Sequence, residues 1–262
     1  MIDAVASLVP VNLAAHAPAL LVVLPMMIAP IAALMPNGRI AWLLSILTTG
    51  ASLVMACVLL SQVRSIEGGA VISYAMGGWT PDAGIEFRID ALNAMVLLLV
   101  SVIGFLAAIF SWPTVAAEIR EAKRAMFYAA YLVCFTGLTG VASTGDAFNL
   151  FVFLESSSIA TYVLVALGAS RDRRALPAAG NYLLMGTIGA SFFVVGVGFL
   201  YAATGTLNMA ELAVRLEAVR DSKAVFAGYA FYFVGLGIKA AMFPLHQWLT
   251  NAYAYRQRYV TM

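Results

Sequence analysis

Long apolar runs separated by short polar connections dominate this chain. Seven runs are read as membrane spans, because a helix needs about 20 mainly apolar residues to cross a bilayer. They cover Ala17–Leu34, Ile40–Val63, Ala91–Thr114, Ala125–Ser143, Phe148–Leu167, Ala178–Ala203 and a longer stretch from Ala224 to Tyr255. The pattern predicts an all-α integral membrane protein with about seven transmembrane helices.

The seventh run is longer than one straight span requires. Gly235 and Gly237 lie near its centre, and Pro244 follows them. A long apolar helix that is interrupted near its middle is typical of the discontinuous helices that hold ion-handling groups in transporters. We therefore predict that the seventh helix is broken.

The connection between the second and third runs has a strand pattern. Residues 70–76 and 85–89 flank Gly77-Gly78 and a turn sequence at 81–84. Within the second of these segments, Ile85, Phe87 and Ile89 alternate with polar residues. Alternation bounded by turn residues predicts a small β-hairpin, placed outside the membrane by the charge pattern described below.

The connection between the sixth and seventh runs has a helical pattern instead. Asn208 followed by Glu211 indicates a helix start. Apolar residues then recur at helical spacing, at Met209, Leu212, Leu216 and Val219. The segment is predicted to form an amphipathic helix at the membrane surface.

Composition supports a membrane protein and offers no cofactor site. The 262 residues are 63% hydrophobic and only 11% charged, which excludes a soluble domain. The two cysteines, Cys57 and Cys134, lie in different apolar runs without metal-ligand spacing. No glycine-rich phosphate loop is present, so we predict neither a cofactor nor a bound metal, and no nucleic-acid partner.

Lysine and arginine positions predict the orientation, because cytoplasmic connections carry more of them. One set of connections holds nine: Arg39, Arg120, Lys123, Arg124, Arg171, Arg173, Arg174, Arg256 and Arg258. The other set holds five: Arg64, Arg88, Arg215, Arg220 and Lys223. The excess predicts an N-terminus outside and a C-terminus in the cytoplasm, in a bacterial inner membrane.

Only two charged residues lie inside the apolar runs, Glu155 and Lys239. A charge in hydrocarbon is costly, so such residues usually face the bundle interior and belong to ion pathways. One acid and one base on different helices therefore predict a proton or cation path. The alternative for Glu155 is a neutral acid in a helix-packing hydrogen bond, and for Lys239 it is a side chain that extends to the membrane surface.

Other polar groups near these two residues leave alternatives open. Three serines, residues 156–158, follow Glu155, and we favour hydrogen bonds to their own helix backbone over a role in proton transfer. His246 follows Pro244 and could pass protons between its ring nitrogens or cap backbone groups that the proline frees. Asp146 is interpreted as the N-cap of the fifth span.

The segments that carry these residues resemble a known family. Residues 144–155 and 235–249 are similar to the fifth helix and the broken seventh helix of antiporter-like proton-translocating subunits. That family spans Mrp-type cation/proton antiporters, membrane-bound hydrogenases and the proton-pumping subunits of respiratory complex I. Residues 181–190 and 202–207 resemble the Mrp-type D subunit most closely.

The resemblance implies a function for the two charged residues and an organisation for the chain. Glu155 and Lys239 match the family's proton-relay pair, with His246 as a further relay candidate. Residues 1–124 would form a leading three-helix segment, and 125–262 a partial antiporter-like repeat. Family members have about fourteen helices, so the chain is expected to be an N-terminal half that cannot carry ions alone. Thr250, where the family has a proline, departs from the pattern.

Three functions remain as alternatives. The leading one is a membrane subunit of a cation/proton antiporter, partnered by other membrane subunits and handling protons and sodium as candidate ions. The second is a proton-pumping subunit in the membrane arm of a complex I-like NADH:quinone oxidoreductase or a membrane-bound hydrogenase. The third is an inactive truncated remnant. In none of them is the subunit itself expected to be catalytic, although the second belongs to a redox enzyme.

Overall fold

The computed structural model describes residues 9–65, 71–81, 84–167 and 174–254, and the structure is mostly helical, at 82%. Parts of three predicted features lie outside the described residues: the basic positions 171, 173, 256 and 258, hairpin residues 70, 82 and 83, and the end of the seventh run at Tyr255. The all-α class is confirmed.

The described helices follow one another along the chain with a single hairpin among them. They are α1 Val11–Ala15, α2 Ala17–Ala33, α3 Gly38–Ser65, α4 Ala91–Glu118, α5 Glu121–Ser143, α6 Ala147–Leu167, α7 Ala175–Thr204, α8 Met209–Val219, α9 Lys223–Lys239 and α10 Gln247–Ala254. The strands are β1 Ile72–Ala75 and β2 Glu86–Ile89, with a short 3₁₀ turn at Met76–Gly78 between them.

Within the described ranges, five helices, α3 to α7, are long and apolar enough to cross a membrane. α2 is apolar but shorter, with 17 residues, and α9 also has 17. The number of about seven spans therefore stays a prediction. The break in the seventh run is confirmed, because α9 ends at Lys239 and α10 begins at Gln247.

The predicted hairpin is confirmed, and it ties three parts of the chain together at one end of the bundle. β1 and β2 pair antiparallel, with Tyr74 opposite Phe87. The amide of Gly145 donates to the carbonyl of Glu86 at 2.8 Å, and the amide of Met209 donates to the carbonyl of Gly145 at 2.8 Å. We call this end, formed by β1, β2, residues 144–147 and residues 206–209, the hairpin end.

Helix α8 confirms the helical pattern that the sequence predicts after Asn208. The Asn208 side chain accepts hydrogen bonds from the amides of Ala210 and Glu211, as an N-cap does. Leu216 is buried in a small cluster with Leu200 of α7 and Val225 of α9. The position of α8 at a membrane surface stays a prediction.

Glycines allow close helix contacts that position the site. α7 packs along α9, and a Cβ added at Gly235 would lie only 2.4 Å from the backbone nitrogen of Phe193. α5 packs along α6, where a Cβ at Gly137 would lie 2.5 Å from the Cβ of Ser157. Small residues permit this backbone approach between membrane helices. The positions of α6 and α9 are therefore both set by helices packed tightly against them.

Candidate proton-relay site

The structure brings Glu155 and Lys239 into contact, as the sequence predicts. Glu155 lies in the middle of α6, and Lys239 is the last residue of α9. The Nζ of Lys239 donates to Oε1 of Glu155, and both side chains are largely buried, with 11% of Lys239 and 18% of Glu155 exposed. A buried charge is tolerated when its partner offsets the loss of water. The pair therefore explains how two charges are held among apolar helices.

Ser158 is the third member of the site. The Nζ of Lys239 donates to its Oγ at 3.0 Å. Our interpretation that the serines bond only to their own helix is confirmed for Ser156 and Ser157, whose hydroxyls donate to the carbonyls of Val152 and Leu154 at 2.8 and 3.0 Å. It is wrong for Ser158, because this residue lies three positions after Glu155 and thus on the same helix face.

The end of α9 places Lys239 at the break. The amide of Ala240 donates to the Leu236 carbonyl at 2.8 Å, and that of Met242 to the Gly237 carbonyl at 2.9 Å. Ala241 has a φ of 51°, so the chain turns sharply away from the helix direction. A helix C-terminus carries partial negative charge, which favours a lysine ammonium there. The break thus supplies both the position of Lys239 and part of the stabilisation of its charge.

The second half of the broken run anchors the first. Nε1 of Trp248, at the start of α10, donates to the carbonyl of Ile238 at 3.1 Å. The Trp248 ring stacks on Tyr182 of α7, with centroids 4.5 Å apart. Because Ile238 directly precedes Lys239, this contact holds the end of α9 beside α7.

His246 lies in the turn before α10 and is exposed. Its ring packs against Phe243, with centroids 5.6 Å apart. Within the described part of the chain, the imidazole forms no hydrogen bond or ion pair with Glu155 or Lys239. The structure therefore does not join His246 to the pair, and its participation in a relay stays a prediction.

Asp146 caps α6 from the hairpin end, as predicted. Its Oδ1 accepts a hydrogen bond from the Asn149 amide at 2.6 Å. Burial raises the pKa of Asp146 above its ordinary value, while backbone hydrogen bonds from Asn149 and Phe148 act in the opposite direction. The residue fixes the start of the helix that carries Glu155.

Glu86 is a buried carboxylate that the sequence analysis missed as a candidate. It is only 3% exposed, although it stands at a polar position of an alternating strand. Ser73 donates to its Oε1, and the Asn208 side chain donates to its Oε2 at 2.5 Å. Among the described residues, it has no ion-pair partner. No local sequence pattern marks its burial, which depends on contacts with segments far along the chain.

Comparisons with known proteins place this site in a family. Residues 144–261 match the family described as NADH:quinone oxidoreductase/Mrp antiporter, transmembrane. This segment belongs to that antiporter-like family. The match covers both Glu155 and Lys239, together with the broken helix run.

Individual relatives agree with this family. The antiporter-like chain is 40% identical over 241 residues to NADH-quinone oxidoreductase subunit N of Desulforudis audaxviator, covering 92% of this chain and 47% of the relative. It is 32% identical over 211 residues to the D subunit of the Na(+)/H(+) antiporter of Bacillus subtilis, covering 80% and 42%. The chain thus spans about half the length of the curated relatives that it matches.

A solved structure extends the likeness to the fold. The membrane-bound sulfane sulfur reductase, an archaeal respiratory membrane complex, contains a chain with a TM-score of 0.83 and 33% sequence identity. The match covers 93% of the antiporter-like chain and 49% of that chain. The described helices and hairpin therefore have the fold of about half of that chain.

Proposed function

We propose that this chain is part of a membrane subunit of a multisubunit cation/proton antiporter, and that protons move through it by way of Glu155 and Lys239. One observation carries the proposal: the two charged residues of the apolar runs form a buried ion pair at a helix break. Such pairs in membrane helices are typical of proton relays.

The geometry supports proton movement by opening and closing of the pair. When the pair is closed, each charge compensates the other. When it opens, each is left buried without a partner, which is costly, so transfer of the lysine proton to another acceptor becomes favourable. Ser158 already accepts a hydrogen bond from Lys239 and offers such a route. His246, in the same break, is assigned to a later step of the relay.

The proposed partners and ions are supported by the names of the relatives. The Bacillus subtilis relative is named as the D subunit of a Na(+)/H(+) antiporter, which supports sodium and protons as the ions handled. The likeness to a chain of a respiratory membrane complex supports other membrane subunits as partners. On the same basis we assign residues 1–124 to a leading segment and 125–262 to an antiporter-like repeat.

We assign the chain to a bacterial inner membrane with the hairpin end outside and the C-terminus in the cytoplasm. Two basic side chains at the end opposite the hairpin support this orientation: Arg39 and Arg124 lie over the ring of Trp112, 5.6 and 5.9 Å from its centroid. A Trp79→Cys variant without the native cysteines tests it, since Trp79 is exposed in the hairpin. Labelling by an impermeant maleimide only from the cytoplasmic side would show that the proposed orientation is wrong.

The transport test uses everted membrane vesicles from cells that express the chain with its neighbouring genes. Glu155→Gln and Lys239→Met remove the two charges with little change in volume. Both are expected to abolish sodium-dependent proton flux, measured with a pH-sensitive dye, while the complex still assembles on native gels. Glu211→Gln breaks an exposed ion pair with Arg215 in α8 and is the matched control. Normal flux in either site variant would refute the relay.

A second candidate function, a redox-driven proton pump, is supported by a different observation. The 40% identity to an NADH-quinone oxidoreductase subunit favours a proton pump driven by electron transfer. The same vesicles distinguish the two functions. An antiporter exchanges sodium for protons when a sodium gradient is imposed without any electron donor, whereas a redox-driven pump moves protons only when NADH or another donor is oxidised.

A further inference from the structure

Tyr162 of α6 is a buried tyrosine with an unused hydroxyl. Only 6% of the residue is exposed, and its hydroxyl has no partner with good hydrogen-bond geometry in the described chain, although Ser158 lies near enough to interact with it. Leaving a buried hydroxyl unpaired lowers stability, and a phenylalanine would avoid that cost. Packing alone therefore does not explain why this position carries a tyrosine and not a phenylalanine.

The position of Tyr162 relates it to the ion pair. Residues 155, 158 and 162 follow the spacing that places side chains on one helix face. Tyr162 lies within electrostatic reach of both Ser158 and Glu155. Since α6 begins at the hairpin end, Tyr162 lies one turn beyond Ser158 toward the opposite end of the bundle.

The neighbouring helices hold the tyrosine in one place. Its hydroxyl fills a notch at Gly186 of α7, where an added Cβ would lie only 1.8 Å from the oxygen. Its ring packs edge-on against Tyr182, with centroids 4.5 Å apart, and Tyr182 in turn stacks on Trp248. The same aromatic group that anchors the end of α9 thus also orients Tyr162.

We propose that the Tyr162 hydroxyl carries protons between Ser158 and the end of the bundle opposite the hairpin. The inference rests on the proton-relay function proposed above. In the transfer, the Lys239 ammonium gives a proton to the Ser158 oxygen while Ser158 gives its own proton to Tyr162. Tyr162 releases its original proton to water. Each hydroxyl ends with one proton, Lys239 becomes neutral, and one proton has left the pair.

The test compares Tyr162→Phe with Tyr128→Phe in the vesicle assay. Tyr128 of α5 is also buried, but its hydroxyl is hydrogen-bonded to Ser111 at 3.0 Å, in a cluster that involves neither Glu155 nor Lys239. Each substitution removes one oxygen and keeps the ring. The proposal expects at least a tenfold loss of proton flux in Tyr162→Phe, since a proton-transfer group typically contributes roughly 10²–10⁴-fold to a rate, with an unchanged or raised Tm of the complex. It expects the reverse in Tyr128→Phe, with retained flux and a Tm lower by roughly 2–4 °C.

The outcomes separate this inference from the relay itself. Tyr162→Phe flux below one tenth of wild type, at unchanged or raised Tm, supports the inference. Flux above that level overturns it, and so does a flux loss accompanied by a Tm decrease like that of Tyr128→Phe, which would indicate a packing role. Glu155→Gln is measured in parallel. If it abolishes flux while Tyr162→Phe does not, only this inference fails; if Glu155→Gln transports normally, the proposed function fails.

Discussion

Glu155 and Glu86 are both largely buried carboxylates, yet they are held by different kinds of partner. Glu155 lies between helices and contacts a lysine at the end of a broken helix. Glu86 lies at the hairpin end, where a serine and an asparagine donate to it. The first carboxylate depends on a charge that a helix movement can withdraw. The second is fixed by neutral donors on a backbone ladder, an arrangement typical of structure rather than transport.

The comparison predicts that removing a partner lowers the stability more at the Glu155–Lys239 ion pair than at Glu86. Lys239→Ala leaves Glu155 buried without its cation and is expected to lower the free energy of unfolding by about 3–5 kcal/mol. In Glu155→Ala/Lys239→Ala no unpaired charge remains, so the double variant should be more stable than Lys239→Ala. Thermal unfolding in detergent measures both. A double variant less stable than each single one would mean that the two residues do not act as a pair.

Glu86 is predicted to contribute to the stability of the protein and not to proton transport. Glu86→Ala removes two hydrogen bonds to a carboxylate and leaves the Asn208 amide unpaired, which should cost about 2–3 kcal/mol. Proton flux per assembled complex should stay at the wild-type level. Glu217→Ala, at an exposed position of α8, is the control and should change neither quantity. A flux loss in Glu86→Ala at unchanged stability would make Glu86 a transport residue and remove the contrast.

The ion pair was predictable from the sequence because charges within apolar runs are rare and conspicuous. The break was predictable from Gly235, Gly237 and Pro244 for a similar reason, since these residues interrupt a run that is otherwise uniform. In both cases the signal lies in residue types along a single segment. Contacts between segments were harder to predict.

Ser158 and Glu86 illustrate what local patterns leave out. A membrane serine bonds to its own helix unless another helix brings a donor within reach, and the donor here comes from a residue 81 positions away. Glu86 stands at the polar position of a strand, which normally faces water. Its burial depends on Asn208, 122 positions away. Neither contact can be derived from spacing within one element.

Asp146 adds a third carboxylate to the comparison, with the smallest expected effect. It is held by backbone donors at the start of α6, and burial raises its pKa, so its ionised form is less favourable in the folded protein than in the unfolded chain. Asparagine caps a helix about as well as aspartate. Asp146→Asn should therefore keep the cap and increase stability slightly at neutral pH, by less than about 1 kcal/mol.

Below the ordinary aspartate pKa of 3.8 the carboxyl is protonated in both the folded and the unfolded state, so the gain in stability should disappear as the pH falls through the raised pKa toward that value. Unfolding of both proteins measured between pH 4 and pH 8 checks the sign. A variant that is less stable at neutral pH would show that the negative charge at the helix N-terminus outweighs the cost of its burial.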